Sequence, residues 1–141
     1  MSKAFKTSRR IEFRDTDMAG IAHFANFFAY MEEAEHEFLR DLKLGVIYDF
    51  DGQEVSFPRV SAKCDYRHEV RFEEIIDIEV VVKKIGTKSI TYGFRFSREE
   101  TPIADGSITV VCCLMKQGKR PVSIPTPELF IDALRPFLLD S

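Results

Sequence analysis

The chain has 141 residues, a formal net charge of −3 and a hydrophobic fraction of 45%. This length suits one domain over residues 1–141, and a chain of this size buries roughly two-thirds of its unfolded surface. The charge disfavours a nucleic-acid partner, because no large positive field is available to hold a phosphate backbone. The longest apolar run, 108–115, is far too short to span a membrane.

The cysteines indicate a reducing compartment. There are three of them, Cys64, Cys112 and Cys113, and an odd number with two adjacent members makes a poor disulfide framework. Their spacing does not fit a zinc site, and the first ten residues lack the apolar stretch of a signal peptide. We therefore expect a cytoplasmic protein with reduced cysteines and with neither a metal nor another cofactor.

The first third of the chain predicts a strand, a turn and a long helix. The strand covers about 5–14, the turn 16–20 and the helix about 24–42. Gly45 is the predicted stop of this helix. The apolar residues that recur at helical spacing are Phe27, Met31, Ala34, Phe38 and Leu42.

The rest of the chain predicts a sheet and a short final helix. Segments 58–66, 76–83 and 89–97 alternate apolar and polar residues, which indicates strands with one buried face. The short connection 86–88 favours a hairpin, and the more apolar segment 103–115 is typical of a central strand. Thr126 is the predicted cap of a helix that ends near Leu134.

A long helix against a curled antiparallel sheet is an α+β layer architecture. The order of the elements suggests a hotdog fold of about five strands around a central helix. Periodicity alone does not separate it from other α+β folds, since several share this order.

The stretch 15–26 concentrates chemistry at the start of the long helix. Asp15, Asp17 and His23 crowd a turn that ends where unpaired backbone N–H groups and a partial positive charge are expected. Such a place suits a developing oxyanion. A carboxylate beside it can act as a base or as a nucleophile. Gly20 permits a tight turn or the close approach of a ligand.

The residues alone leave a structural alternative open. An Asp before a helix is most often a cap or a turn former, and His23 by itself is more typical of a hydrogen-bonding residue at a helix start. No second histidine stands at a ligand spacing, so the pattern does not favour a metal site.

Several of these segments together resemble the 4-hydroxybenzoyl-CoA thioesterase family, including its Tol–Pal-associated acyl-CoA thioesterases. The resemblance is carried by residues 10–17, by Asp15-x-Asp17-x-x-Gly20 before the helix, and by Asn26. It continues through 57–61, 73–74 and 88–89, and so covers nearly the whole chain. The Asp-x-Asp-x-x-Gly element followed by a helix is fairly specific, whereas 88–89 alone is weak.

The resemblance implies a hotdog fold, pairing of two chains edge to edge, and an active site at their interface. It implies that Asp17 is the catalytic carboxylate and that the N–H of Phe24 polarises the thioester carbonyl. His23 would orient the substrate or adjust Asp17. A homodimer or a homotetramer is expected.

The resemblance also implies where the acyl-CoA lies. The acyl group would sit between subunits, with Gly20, Val60 and Ser61 as candidate contacts. The CoA phosphates would lie near the surface, where Lys88 and then Ser89 are the candidates. Lys88 has an equal interpretation as an ordinary turn lysine.

Two positions depart from the hydroxybenzoyl-specific members. His23 stands where those enzymes carry an aromatic residue, which is closer to the Tol–Pal-associated branch. Glu32 stands where they carry an Asp that recognises the phenol. A polar acyl tip is therefore compatible with Glu32, and so is a solvated helix glutamate.

The expected reaction is hydrolysis of an acyl-CoA thioester to a free acid and CoA. Asp17 would either attack the carbonyl or activate water, and the sequence leaves both open. The alternatives are a non-catalytic acyl-CoA-binding module, a thioesterase for acyl carrier protein, and a hotdog hydratase or dehydratase. The hydratase needs a differently placed His and Asp pair, which later parts of the chain lack.

Overall fold

The structure is a computed structural model that describes residues 2–140. Its helices are α1 (Asn26–Asp41) and α2 (Glu128–Leu134), and short 3-10 turns cover Phe13–Asp15 and Arg135–Phe137. Its strands are β1 (Phe5–Arg10), β2 (Ile47–Phe50), β3 (Gln53–Ser56), β4 (Arg59–Tyr66), β5 (Ile75–Ile85), β6 (Ser89–Arg98), β7 (Thr101–Val111), β8 (Cys113–Leu114) and β9 (Val122–Ser123).

The strands form two antiparallel sheets. The larger sheet has five strands in the order β1-β5-β6-β7-β4, and the smaller has four in the order β2-β3-β8-β9. The predicted hairpin is confirmed, because β5 pairs with β6 and the Gly86 N–H donates to the Ser89 carbonyl at 2.8 Å. The α+β architecture is therefore confirmed. Across residues 2–140, no helix is long and apolar enough to cross a membrane.

The core lies between α1 and the larger sheet. The helical spacing is confirmed, since α1 turns its apolar stripe inward, and the inward positions of β5 and β6 are equally covered. Burying such side chains removes apolar surface from water, which is the main favourable term in folding. The buried members are Phe27, Met31, Ala34 and Phe38 of α1, Ile76, Ile78, Val80 and Val82 of β5, and Ile90, Tyr92, Phe94 and Phe96 of β6.

The first strand is shorter than predicted. It ends at Arg10, and residues 13–15 form a 3-10 turn in place of extended chain. The turn is held because the Asp15 carboxylate accepts the backbone N–H of Glu12 at 2.8 Å. A carboxylate that reaches back three residues competes with the strand ladder.

The prediction that Gly45 stops the long helix is wrong. The helix ends at Asp41, and Lys43 takes the left-handed conformation at φ 61°. The Leu44 N–H donates to the Leu39 carbonyl at 2.7 Å, which closes the last turn. A left-handed residue after a helix is usually glycine, but this hydrogen bond and the partly buried Leu44 hold a lysine there.

The predicted cap of the last helix is also wrong. Pro127 occupies the N-cap position, and no side chain caps the helix. Thr126 lies one residue earlier with its side chain turned into the protein, where it is buried. Its N–H donates to the Thr87 carbonyl at 3.0 Å. This contact with the hairpin fixes Thr126 in a position from which its hydroxyl does not reach the helix.

The segment 58–66 forms a strand, but its predicted buried face is mostly open. Only Arg59 and Cys64 of β4 are partly covered, and Val60 is 62% exposed. This face of β4 is open because β4 is the last strand at one edge of the larger sheet.

The segment 103–115, predicted as one strand, forms two strands, because β7 ends at Val111 and β8 joins the smaller sheet. The hairpin of β2 and β3 was not predicted.

Candidate active site

The loop that carries Asp17 is a tight turn. The Asp17 N–H donates to the Ile21 carbonyl at 3.0 Å, and the Gly20 N–H donates to the Asp17 carbonyl at 2.9 Å. Gly20 has φ +80°, a conformation that side chains disfavour. Oδ1 of Asp17 accepts the Ala19 N–H at 2.8 Å. The side chain is exposed, so the loop presents a carboxylate to solvent in a fixed direction.

The neighbouring Asp15 has a different environment. It is 5% exposed and accepts hydrogen bonds from the Glu12 N–H and from the Arg9 guanidinium, at 2.8 and 3.4 Å. Its carbonyl accepts the His23 N–H at 2.8 Å and the Asn26 side-chain amide at 2.7 Å. Asp15 therefore ties the turn to the start of α1, while Asp17 is the acid free to meet a ligand.

The start of α1 offers an unused backbone donor. The N–H of Phe24 makes no hydrogen bond to any acceptor within residues 2–140, and the Phe24 side chain is 61% exposed. The next residue, Ala25, is the N-cap and has helical dihedral angles. The Phe24 N–H thus lies at the positive end of a sixteen-residue helix, where a carbonyl oxygen that gains charge is stabilised.

A cleft of about 340 Å³ brings these groups together. It contains the predicted Asp17 and Phe24, and most of its remaining wall is apolar or aromatic. Two larger depressions, of about 710 and 540 Å³, lie on the outer face of the sheet among charged side chains. The smaller cleft is the better candidate because it alone of the three contains the Asp17 carboxylate. Its lining is Asp17, Ile21, Ala22, Phe24, Phe27, Tyr66, Arg67, His68, Glu69 and Val70.

Aromatic side chains surround Phe24. The His23 ring stacks on it at 4.7 Å between centroids, and Tyr66 meets it edge to face at 6.1 Å. The Tyr66 hydroxyl donates to the Phe24 carbonyl at 2.8 Å. Partial burial and the neighbouring Cys64 raise the pKa of Tyr66 to about 12, so the phenol stays a donor at neutral pH. Tyr66 was not predicted as a site residue, since a tyrosine on an alternating strand is ordinarily a packing residue.

The other predicted contacts lie outside this cleft. Val60 and Ser61 are exposed on β4, and Lys88 and Ser89 lie at the turn between β5 and β6. Glu32 is exposed on α1, with its carboxylate 3.6 Å from the Arg59 guanidinium. Within one chain these five residues do not converge on Asp17.

A buried carboxylate on α1 was missed by the sequence reasoning. Glu35 is 1% exposed and forms two hydrogen bonds with the guanidinium of Arg59 on β4. Burial raises the pKa of Glu35 against the opposing effect of Arg59. Taking a carboxylate out of water is costly unless it is paired, so this contact locks the edge strand to the helix.

Known proteins resemble this chain over most of its length. A model of the thioesterase-like superfamily matches residues 11–135. A relative from Aquifex aeolicus that carries only a provisional esterase name is 30% identical over 122 residues, which cover 86% of this chain and 91% of that one. The 1,4-dihydroxy-2-naphthoyl-CoA hydrolase of Synechococcus elongatus is 28% identical over 132 residues, which cover 93% of this chain and 95% of that one.

A solved structure shows the same fold. A mutant of 4-hydroxybenzoyl CoA thioesterase, complexed with 4-hydroxybenzoyl CoA, superposes with a TM-score of 0.81 at 20% identity and covers 94% of this chain and 99% of that one. The predicted hotdog fold and the predicted resemblance are thereby confirmed. The chain belongs to the thioesterase-like superfamily, a family of hotdog-fold thioester hydrolases.

Proposed function

We propose that the protein hydrolyses an acyl-CoA thioester to a free carboxylic acid and CoA, with Asp17 as the catalytic carboxylate. The observation that carries the proposal is that Asp17 and Phe24 line one cleft at the N-terminus of α1. An exposed carboxylate and an unused backbone donor are the two groups that acyl transfer needs. The similarity to the CoA-ester hydrolase from Synechococcus and to the solved 4-hydroxybenzoyl CoA thioesterase supports CoA as the donor.

The chemistry would begin with the thioester carbonyl oxygen accepting the Phe24 N–H. As a nucleophile, a carboxylate oxygen of Asp17 bonds to the carbonyl carbon while the C–S bond breaks and CoA leaves as its thiolate. Water then hydrolyses the mixed anhydride and restores Asp17. As a general base, Asp17 instead takes a proton from the water that attacks the carbonyl carbon, the C–S bond breaks, and the leaving CoA thiolate takes up that proton. Both routes give the acid and CoA, and both use the same two groups.

The cleft favours an acyl group with a flat or apolar body. Its walls include Phe24, Phe27, Tyr66 and Val70, and Phe27 meets Tyr66 edge to face at 5.4 Å. Aromatic rings in such arrangements pack well against another ring. Aromatic acyl-CoAs are therefore the first substrates to test, with 1,4-dihydroxy-2-naphthoyl-CoA and 4-hydroxybenzoyl-CoA among them.

A second copy of the chain would complete the site. We place the contact along β4, an edge strand whose unpaired backbone groups and exposed Val60 are open to pairing. In that arrangement the partner copy supplies the contacts that do not converge within one chain: Glu32, Val60, Ser61, Lys88 and Ser89. A homodimer is the smallest assembly that satisfies this, and a homotetramer can be built from it.

The deciding experiment measures thiol release from short, medium, long and aromatic acyl-CoAs. The variant Asp17→Asn is expected to keep the fold and CoA binding but to lose turnover by about 100-fold or more. The matched control is Asp77→Asn, an exposed aspartate on β5 outside the cleft. Equal turnover in Asp17→Asn and wild type would exclude Asp17 as the catalytic residue.

The same acyl groups carried on acyl carrier protein, together with a binding measurement on the acyl-CoAs, test the alternatives. Turnover of acyl carrier protein thioesters without turnover of any CoA ester would assign the protein to the carrier-protein class. Tight acyl-CoA binding without hydrolysis of either donor would identify a binding module, since binding alone does not need a carboxylate beside the thioester.

A further inference from the structure

Residues 15–23 form a small hairpin that carries Asp17 near its tip. At its base the N–H of His23 donates to the Asp15 carbonyl at 2.8 Å, and nearer the tip the N–H of Asp17 donates to the Ile21 carbonyl at 3.0 Å. One arm of the hairpin continues through His23 into the start of α1. The other arm, which leads from Asp15 to Asp17, reaches α1 along the chain only by way of the tip. Non-covalent contacts must therefore hold this arm against the helix.

Asn26, the first residue of α1, supplies such a contact. Its side-chain Nδ2 donates to the Asp15 carbonyl at 2.7 Å, between residues 11 positions apart in the chain. The contact is not a helix cap, because Ala25 occupies the N-cap position. A carbonyl oxygen only accepts hydrogen bonds, so the amide nitrogen of the side chain must face Asp15. The side chain of Asn26 thus ties the arm that carries Asp17 to the first turn of α1.

The backbone of Asn26 holds the peptide group that carries the free donor. Its N–H donates to the His23 carbonyl at 3.0 Å. This carbonyl and the Phe24 N–H belong to one planar peptide group, so a bond that fixes the carbonyl also fixes the direction of the N–H. Asp15, His23 and Asn26 are therefore joined in a closed ring of three hydrogen bonds. The ring includes the peptide of the Phe24 N–H and lies two residues before Asp17.

We propose that Asn26 is a positioning residue of the thioesterase site: its side chain closes this ring and so fixes the Asp17 arm of the hairpin relative to the Phe24 N–H. Of the three bonds, only this one is made by a side chain and can be removed by substitution. The proposal rests on the proposed function for its effect on rate. Its effect on the ring itself does not depend on any activity, so the two are separable by experiment.

The variant Asn26→Ala removes the side-chain bond and keeps the donors and acceptors of both backbone bonds. We expect kcat to fall by about tenfold with KM within about twofold of wild type, because misplacing the carboxylate relative to the backbone donor weakens the transition state more than ground-state binding. The midpoint of thermal unfolding should fall by no more than about 5 °C, since alanine is a better helix former than asparagine and offsets part of the loss.

The matched control is Ser56→Ala. It also removes a partly buried hydrogen bond from a side chain to a backbone carbonyl, in this case that of Val46 at 2.9 Å, and it lies outside the cleft. This variant should keep the kcat of wild type. A fall in kcat specific to Asn26→Ala then comes from the place of the lost bond and not from its kind.

The second readout is amide hydrogen exchange, measured in the protein without substrate. In Asn26→Ala the backbone amides of His23 and Asn26 should exchange about fivefold faster than in wild type, because the ring opens locally. The amides of β5 and β6 should keep their wild-type rates. A residue that only stabilised the fold as a whole would instead raise exchange in these core strands.

Each result supports or overturns the proposal. Wild-type kcat in Asn26→Ala overturns it, and so does a lower kcat with unchanged exchange at His23, since the side chain would then affect the rate by another route. Faster exchange in β5 and β6 with a large fall in the unfolding midpoint would make Asn26 a packing residue. Faster exchange confined to the ring, in a protein that hydrolyses no thioester, upholds the positioning contact and contradicts the proposed function instead.

Discussion

The strands β4 and β5 have nearly the same sequence pattern and different surroundings. Both alternate apolar and polar residues. In β5 the apolar positions 76, 78, 80 and 82 are at most 2% exposed, while in β4 Val60 is 62% and Tyr66 is 44% exposed. The two strands differ in their position in the sheet: β5 lies between β1 and β6, whereas β4 is an edge strand.

The difference separates the part of the fold that supplies stability from the part that carries the candidate site. The half of the sheet around β5 holds α1 and supplies the buried apolar area. The open end of the molecule, around β4 and the loop 13–24, carries the cleft, the exposed aromatic residues and the free backbone donor. Exposed apolar surface is expected where a substrate or a second subunit is bound.

The sharpest test of the contrast truncates one apolar residue on each strand. Ile78→Ala on β5 should lower the free energy of unfolding by about 4 kcal/mol, since it loses buried methyl groups and leaves a cavity. Val60→Ala on β4 should change the unfolding of the isolated chain by less than about 0.5 kcal/mol. Denaturant titrations at a concentration where the protein is monomeric measure both, and equal losses would contradict the contrast.

A second test breaks the one buried ionic contact that joins β4 to α1. Arg59→Leu should cost about 3 kcal/mol at neutral pH, because it leaves the Glu35 carboxylate buried without its partner. Glu35→Gln should cost less, since Arg59 is partly exposed and keeps Glu32 as a partner.

The loss in Arg59→Leu should also depend on pH. Burial raises the folded-state pKa of Glu35, and without Arg59 it rises further. Between the unfolded and the folded pKa the folded state binds more protons, so stability falls as pH rises. Chemical unfolding at pH 5 and pH 8 should therefore give the smaller loss at pH 5. A loss that is smaller at pH 8 would exclude this assignment.

The loop that carries Asp17 allows a smaller and more local test. Gly20→Ala should lower stability by about 1 kcal/mol, because φ +80° is unfavourable for a side chain. It should also reduce turnover, since the turn directs Asp17. Gly52→Ala is the matched control, with φ +77° and no atom within 4 Å of the added methyl group. Equal turnover in the two variants would show that the Gly20 turn does not matter for catalysis.

The smallest effect on the chain itself is expected from Val60→Lys. A charge on an exposed edge position should change monomer unfolding by no more than about 0.5 kcal/mol. It should weaken pairing along β4, since charged residues on edge strands oppose strand addition. Sedimentation velocity over a range of concentrations measures the association of the chains. Association equal to that of wild type would show that the contact between copies does not lie along β4.

The local parts of the fold could be predicted because their signals are local. The spacing of Phe27, Met31 and Phe38 follows from 3.6 residues per turn, and the alternation of β5 and β6 follows from two-residue strand periodicity. The turn 16–20 and the start of α1 were likewise recognisable from Asp17, Gly20 and the following helix. Element ends were less accurate. Gly45 does not end α1, because the hydrogen bond from Leu44 to Leu39 closes the helix earlier, and Thr126 does not cap α2, because its N–H is bonded to Thr87 in the hairpin.

The sequence by itself determined the type of the longer elements, the helix face and the pairing of Asp17 with a helix N-terminus. Only the tertiary structure decided that Asp15 is buried and Asp17 open, that β4 lies at an edge, and that Arg59 reaches Glu35. It likewise brought Tyr66 to Phe24 across 42 residues of chain. Periodicity reports which way a side chain points, whereas burial and distant contacts depend on what the folded chain places over it.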